Sequence, residues 1–242
     1  MAAEGYFHHQ KTEERHGVKF SADERAAMED IDGQISVLLE ELRPNIENGK
    51  YKLVVGDDAS GRVPALIIAG ALKKIYAARG AAPPAVRFIA GSRNLAGEDL
   101  ERKTSLLDVH SKNLKNKFLN DGNQGVLVVT DFISTGSSVK PIVDSLKKTG
   151  ADVDLVTIGL ADDFRWSKSG LKVAAAVNSF LPEIYNRTSL SGVRKQPGDL
   201  FATRSVRPGE TEGQRRVNAA REMVRDIVDH VSEEFLSKLS AS

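Results

Sequence analysis

The residues best suited to chemistry lie in one short stretch, 126–138, which reads VLVVTDFISTGSS. An apolar run ends on Asp131, two largely apolar residues follow, and Ser134, Thr135, Gly136, Ser137 and Ser138 come in succession. Val139, Ile142, Val143 and Leu146 then recur at helical spacing, which predicts a helix that begins near Ser138 and ends at Gly150. A turn between the carboxyl end of a strand and a helix N-terminus presents backbone N–H groups and the positive end of the helix dipole, and so attracts an anion such as phosphate. Gly136 lets the backbone approach closely, and the four hydroxyls can donate to phosphate oxygens. Asp131, at the strand mouth, can accept hydrogen bonds from sugar hydroxyls or hold a metal through water. The competing reading gives the same serines a structural task, capping an ordinary crossover helix.

A second turn, residues 56–62 (GDDASGR), joins the apolar segment 51–56 to a nearly all-apolar helix predicted over 63–78. If both segments before these turns are parallel strands, both turns open at the same edge of the sheet. Asp57, Asp58, Ser60, Gly61 and Arg62 would then face the same space as the 131–138 loop. Asp, Ser and Gly are equally the residues of a plain turn with an N-cap.

The elements that must hold these turns follow from the pattern of apolar runs. Residues 51–56, 85–90, 125–131, 153–160 and 172–178 read as five strands, and helical segments alternate with them. Continuous apolar strands of this kind predict an α/β fold: an open, mainly parallel five-stranded sheet with helices on both faces. The core occupies residues 51–180. Residues 1–50 add a polar tail and a helix that Ser21 would cap, with Met28, Ile31, Ile35, Leu38, Leu42 and Ile46 on one face and Pro44 marking a kink or an early end. Residues 181–242 add an irregular, hood-like segment containing Pro182, Pro197 and Pro208. A last helix follows from about Glu212, with Val217, Ala220, Val224, Ile227, Val231 and Phe235 in a stripe. That stripe would dock on the core or pair with the first helix, or else serve a homodimer.

Composition bounds the remaining classes. The chain has 242 residues, 40% hydrophobic and 28% charged, with a net charge of +1 and no cysteine. The charge balance gives no field that would argue for nucleic acid or an anionic membrane as partner. Disulfides and thiolate metal sites are excluded, and with no apolar segment of signal or spanning length a cytoplasmic protein is expected. His8, His9 and His16 lack the spacing of a metal site within the polar tail. Neither a Gly-x-x-x-x-Gly-Lys-Ser/Thr loop nor a Gly-x-Gly-x-x-Gly turn occurs, which counts against a P-loop nucleotidase and a Rossmann dinucleotide site. Ile133 occupies the position where an aspartyl phosphatase needs a second Asp after Asp131.

Taken together, residues 126–138 resemble the phosphoribosyl pyrophosphate signature of type I phosphoribosyltransferases: four apolar residues, two acids, two mostly apolar residues, then Thr/Ser-Thr-Gly-x-Ser/Thr. Asp131 matches the second acid and residues 134–138 the phosphate loop, while Thr130 stands where the first acid belongs. The resemblance covers roughly residues 50–180. It implies that Asp131, Ser134, Thr135, Gly136, Ser137 and Ser138 bind ribose 5-phosphate. It implies that Asp58, Ser60, Gly61 and Arg62 meet pyrophosphate, which the planar fork of arginine suits. Asp57 or Asp58 would hold Mg²⁺ through water. A mobile segment within 91–124 would cover the reaction centre, with Arg102 or Lys103 neutralising departing pyrophosphate. The residues themselves favour the competing reading of that segment, a solvated charged helix containing Leu106, Leu107, Val109 and Leu114. Trp166 and Tyr185 are candidates to stack on a base.

The implied function is transfer of a phosphoribosyl group, with Mg²⁺, between phosphoribosyl pyrophosphate and a nitrogenous base, or the reverse reaction from a nucleotide monophosphate. The alternative is a non-catalytic module on the same fold that senses a phosphoribosyl compound or nucleotide. Thr130 in place of an acid favours that alternative.

Overall fold

A computed structural model describes residues 22–59, 61–90, 97–119, 125–161, 173–177, 193–195, 203–205 and 211–241. Helix α1 (Ala22–Glu41) and the short α2 (Arg43–Glu47) lead into β1 (Tyr51–Asp58), α3 (Arg62–Ala78) and β2 (Ala85–Ala90). Then come α4 (Gly97–Phe118), β3 (Gly125–Ile133), α5 (Lys140–Lys148), β4 (Asp152–Leu160) and β5 (Val173–Val177). Strands β6 (Val193–Lys195) and β7 (Thr203–Ser205) precede the long helix α6 (Thr211–Ser240). The expected cap Ser21 lies outside the described residues.

The five strands form one sheet in the order β2-β1-β3-β4-β5, and every pairing is parallel. The fold is therefore the open α/β sheet that the apolar runs predict. Strand order turns back at one place only: from β1 the chain crosses to β2 on one side, and from β3 onward it advances on the other. The crevice at the carboxyl ends of β1 and β3 is thus the topological switch point, the place where open parallel sheets bind ligands.

Side chains alternate along the strands and so feed two cores. On one face Val54, Leu127, Val129, Val156 and Ile158 pack against α1, α3 and α6, including Ile31, Ile35, Ile68, Leu72, Ile227, Val231 and Phe235. On the other, Leu53, Val55, Val126, Val128 and Leu155 pack against Leu107 and Leu114 of α4 and Ile142, Val143 and Leu146 of α5. The apolar stripe of the last helix docks on α3 and the first helix within the chain. Gly70 of α3 allows the approach, since a Cβ there would stand 2.8 Å from a methyl of Val228. An ion pair of Lys74 with Asp229 at 2.6 Å and a polar contact of His230 Nδ1 with Asp32 at 2.9 Å line the seam.

Two boundaries differ from the sequence reading, at α5 and within 181–209. Helix α5 begins at Lys140, two residues beyond Ser138, because Pro141 favours the first turn of a helix and Gly136 holds the preceding backbone in a left-handed bend with φ of 75°. At Pro44 the early end, one of the two expected outcomes, is what occurs: α1 stops at Glu41 and the proline sits in the first turn of α2. Within 181–209, expected to be irregular, β6 and β7 pair antiparallel.

At the amino edge of the sheet a polar cluster ties β1 to β4. The Tyr51 hydroxyl donates to Asp154 at 2.6 Å, and Lys50 bridges Asp154 at 2.8 Å and Asp152 at 3.0 Å. Asn45 donates to Asp154 at 3.1 Å. Burial and the neighbouring Asp154 carboxylate push the Tyr51 hydroxyl well above its usual range. This cluster sits at the end of the sheet opposite the switch point. Among the described residues, no helix is long and apolar enough to cross a membrane.

Candidate functional site

Both turns singled out in the sequence emerge at the switch point. Gly56 of β1 pairs with Val129 of β3, and Asp57 and Asp58 end β1 paired with Ile89 and Ala90 of β2, at the level of Thr130 and Asp131. Gly61 brings the turn after β1 into direct contact with β3. A Cβ there would stand 2.7 Å from the Val129 carbonyl oxygen and 2.9 Å from Thr130 Cα. Only glycine fits, and the Gly61 amide donates to the Asp57 carbonyl at 2.7 Å to close the turn. The peptide bond between Asp58 and Ala59 is cis. Ser60 lies outside the described residues.

The loop after β3 leaves most of its hydroxyls at the surface. Ser134, Thr135 and Ser137 are exposed, Ser138 is half-buried, and Gly136 is buried beneath them. The Thr135 hydroxyl donates to Ser137 Oγ at 3.1 Å and accepts from the Ser137 amide at 3.3 Å, which curls the loop tip on itself. The Lys140 amide donates to the Gly136 carbonyl at 2.8 Å. The N-cap position of α5 is Val139, and no side chain caps the helix. The hydroxyls of 134–138 therefore do not perform the capping task that the competing reading assigns them.

Asp131 is 7% exposed, and its Oδ1 accepts from the Phe132 amide at 2.7 Å and from the Thr130 hydroxyl at 3.4 Å. Thr130 is itself buried at the end of β3. The position that resembles a first acid thus supplies a hydroxyl that points to Asp131, and it adds no second carboxylate to the crevice.

The turn after β1 is held by a side-chain clamp. Arg62 donates from Nε to Asp58 Oδ1 at 2.8 Å and from Nη2 to Oδ2 at 2.6 Å. Its guanidinium carbon lies 4.1 Å from the centre of the Phe88 ring, a cation–π contact. Phe88 reaches this position across Gly56, where a Cβ would stand 2.8 Å from the ring. The Asp58 side chain is 3% exposed and that of Arg62 21%. Asp57, two residues after Val55 on the strand, is turned to the α4 and α5 face and is buried.

This donor set does not fit a directly held Mg²⁺. Both oxygens of Asp58 already accept from Arg62, and the Asp57 residue is 2% exposed. Among the described residues, no three or more His, Asp or Glu side chains converge as a metal site.

The segment after β2 contains a helix docked on α5. Leu107 and Leu114 are buried against the sheet, Ser145 donates to Ser111 at 2.9 Å, and Lys148 pairs with Asp108 at 3.0 Å. Lys103, four residues before Leu107, is on the buried stripe at 1% exposure, whereas Arg102 faces solvent. Leu106 and Val109 are exposed, at 40% and 57%. Trp166 and Tyr185 lie outside the described residues. The structure adds Phe88 to the site, a residue whose place depends on strand order and left no mark in the local sequence.

No protein-family model matches the chain, and no curated protein matches it in sequence. Solved structures similar to it include a purine phosphoribosyltransferase from Pyrococcus horikoshii Ot3, at 16% identity and a TM-score of 0.36, over 63% of this chain and 92% of that one. Another is hypoxanthine-guanine phosphoribosyltransferase from Schistosoma mansoni in complex with IMP, at 15% identity and a TM-score of 0.38, over 62% of this chain and 64% of that one.

Proposed function

We propose that this protein binds the ribose 5-phosphate group of a phosphoribosyl compound at the switch point, with the phosphate in the loop 134–138 and the sugar hydroxyls beside Asp131. One observation carries the reading. Four hydroxyls and a left-handed glycine precede α5, yet none of them caps it. In a plain crossover they would be capping groups. A phosphate seated there would receive their hydrogen bonds and those of the loop amides, at the positive end of the α5 dipole.

The reaction that suits this arrangement is transfer of the phosphoribosyl group between phosphoribosyl pyrophosphate and a nitrogenous base, in either direction, with Mg²⁺ arriving in complex with the diphosphate. The chain's own residues would then orient the sugar and stabilise developing charge, without a nucleophile. Arg102 and Lys103 remain the proposed partners of departing pyrophosphate, and Trp166 and Tyr185 those of the base. Arg102 is the better placed of the two cations, because Lys103 would have to leave the buried stripe of α4.

A second reading is favoured by Thr130. With a hydroxyl where a carboxylate would grip the ribose, the same crevice serves a non-catalytic sensor of a nucleotide or phosphoribosyl compound. Titration of phosphoribosyl pyrophosphate with Mg²⁺, and separately of a nucleoside 5′-monophosphate, into wild type and Asp131→Asn tests the shared claim. Binding of either ligand that the substitution weakens by about tenfold, roughly 1.4 kcal/mol, is expected. Equal affinity in both proteins would remove Asp131 from the site.

A further inference from the structure

We propose that Lys140 supplies the counter-charge for a phosphate in the loop 134–138, and that Asp144 competes with this phosphate for the lysine ammonium. The proposal rests on the reading that the loop seats the phosphate of a phosphoribosyl compound, and it adds a residue to that site.

The cradle has no cation of its own. From Thr130 to Val139 the one charged residue is Asp131, a carboxylate. A phosphate monoester carries roughly −1.5 to −2 charges at neutral pH. Hydroxyls, amides and the α5 dipole offer it partial positive charge alone. Arg62, the cation of the other turn, is engaged by Asp58 through bonds of 2.8 and 2.6 Å. Lys140 directly follows Val139, and its amide donates to the Gly136 carbonyl at 2.8 Å, so its backbone lies against the loop. The Cα–Cβ bond of a helical residue tilts towards the helix N-terminus, which starts the Lys140 side chain on the loop side.

The place of Lys140 is otherwise unfavourable. It is the first residue of α5, at the positive end of the dipole, in a first turn that contains no acid. Lys147 and Lys148, by contrast, stand in the last turn, where the dipole favours them. Lys140 pairs with Asp144. The lysine comes four residues before the acid, the weaker of the two orientations on a helix. The two side chains are 44% and 45% exposed, so little is lost when the pair opens. The flexible lysine stem then lets the ammonium turn from one anion to another. A phosphate before α5 would reverse the sign of the interaction at this end of the helix. An ordinary surface pair would show the same contact and take no part in binding, and the two are separable by experiment.

Ribose 5-phosphate should be titrated calorimetrically into wild type, Lys140→Met, Asp144→Asn and the double variant, with thermal unfolding of each alongside. Lys140→Met should lower affinity about tenfold, as for loss of a charged hydrogen-bond partner. Asp144→Asn should raise affinity roughly two- to fivefold, because the ammonium no longer leaves an exposed ion pair. In the Lys140→Met background, Asp144→Asn should change nothing. Wild-type affinity in Lys140→Met, with Asp131→Asn still weakening binding, would overturn the proposal and leave the reading of the loop intact. A gain from Asp144→Asn that persists without Lys140 would belong to the general field of a removed acid, and it would also overturn the proposal. No binding of ribose 5-phosphate by wild type would remove the reading of the loop and this proposal with it. Both side chains are half-exposed, so the variants should fold. Should Lys140→Met fail to fold, Lys140→Gln removes the same charge and is read in the same way.

Discussion

Gly61 and Thr130 meet backbone to backbone across the switch point: a Cβ on Gly61 would stand 2.9 Å from Thr130 Cα. The contact joins the turn after β1 to the end of β3, so the two halves of the proposed site share one rigid seam. All three groups that such a Cβ would strike, the Val129 carbonyl, the Asp57 carbonyl and Thr130 Cα, are backbone and cannot swing aside as a flexible side chain would.

Gly61→Ala should therefore destabilise the fold by about 1–3 kcal/mol through overpacking and pull the two turns apart. Denaturant unfolding would report the loss of stability. Ligand titration would show weakened binding even at temperatures where the variant is fully folded. A variant as stable as wild type would mean that the seam yields.

A pH dependence follows from the cluster at the opposite edge. Burial, with Asp154 beside it, raises the Tyr51 hydroxyl, and burial also raises Tyr76. For Lys50 burial acts in the opposite sense, but hydrogen bonds to Asp154 and Asp152 outweigh it, and the net shift is upward. Each group holds its proton more tightly folded than unfolded. Their stabilising contribution is therefore complete below the unfolded values of about 10 and is lost as pH rises through the folded ones. Thermal unfolding from pH 8 to 11 should show a steep loss of stability in the upper part of that range. Tyr51→Phe should cost about 1.5–3 kcal/mol near neutrality, since it removes a donor to a charged group, and should flatten the alkaline decline.

Much of this architecture was legible in the chain, because buried parallel strands announce themselves as unbroken apolar runs such as 126–129 and 153–156. Strand order was not legible, since crossover helices of similar length permit several orders, and it alone places the two turns side by side at a switch point. The Arg62–Asp58 clamp had a trace in their spacing of four residues, but Phe88 comes from a different strand and could be found only in three dimensions. Between residues 97 and 118 the charges and leucines did announce a helix, and α4 is that helix; what they did not announce is that its buried stripe includes Lys103 along with Leu107 and Leu114. The serines of 134–138 were ambiguous for a physical reason: capping a helix and holding a phosphate demand the same hydroxyls. In the structure α5 starts at Lys140 with Val139 at the cap position, and no side chain caps it.

The most direct test of the central claim removes those hydroxyls. Ribose 5-phosphate should be titrated into wild type and into a variant combining Ser134→Ala, Thr135→Val, Ser137→Ala and Ser138→Ala, with thermal unfolding of both proteins measured alongside. A ligand cradle predicts stability within about 0.5 kcal/mol of wild type, as for surface substitutions, and affinity lowered at least about tenfold, a loss of 1.4 kcal/mol. Unchanged affinity with lowered stability would contradict it and return the hydroxyls to a purely structural role.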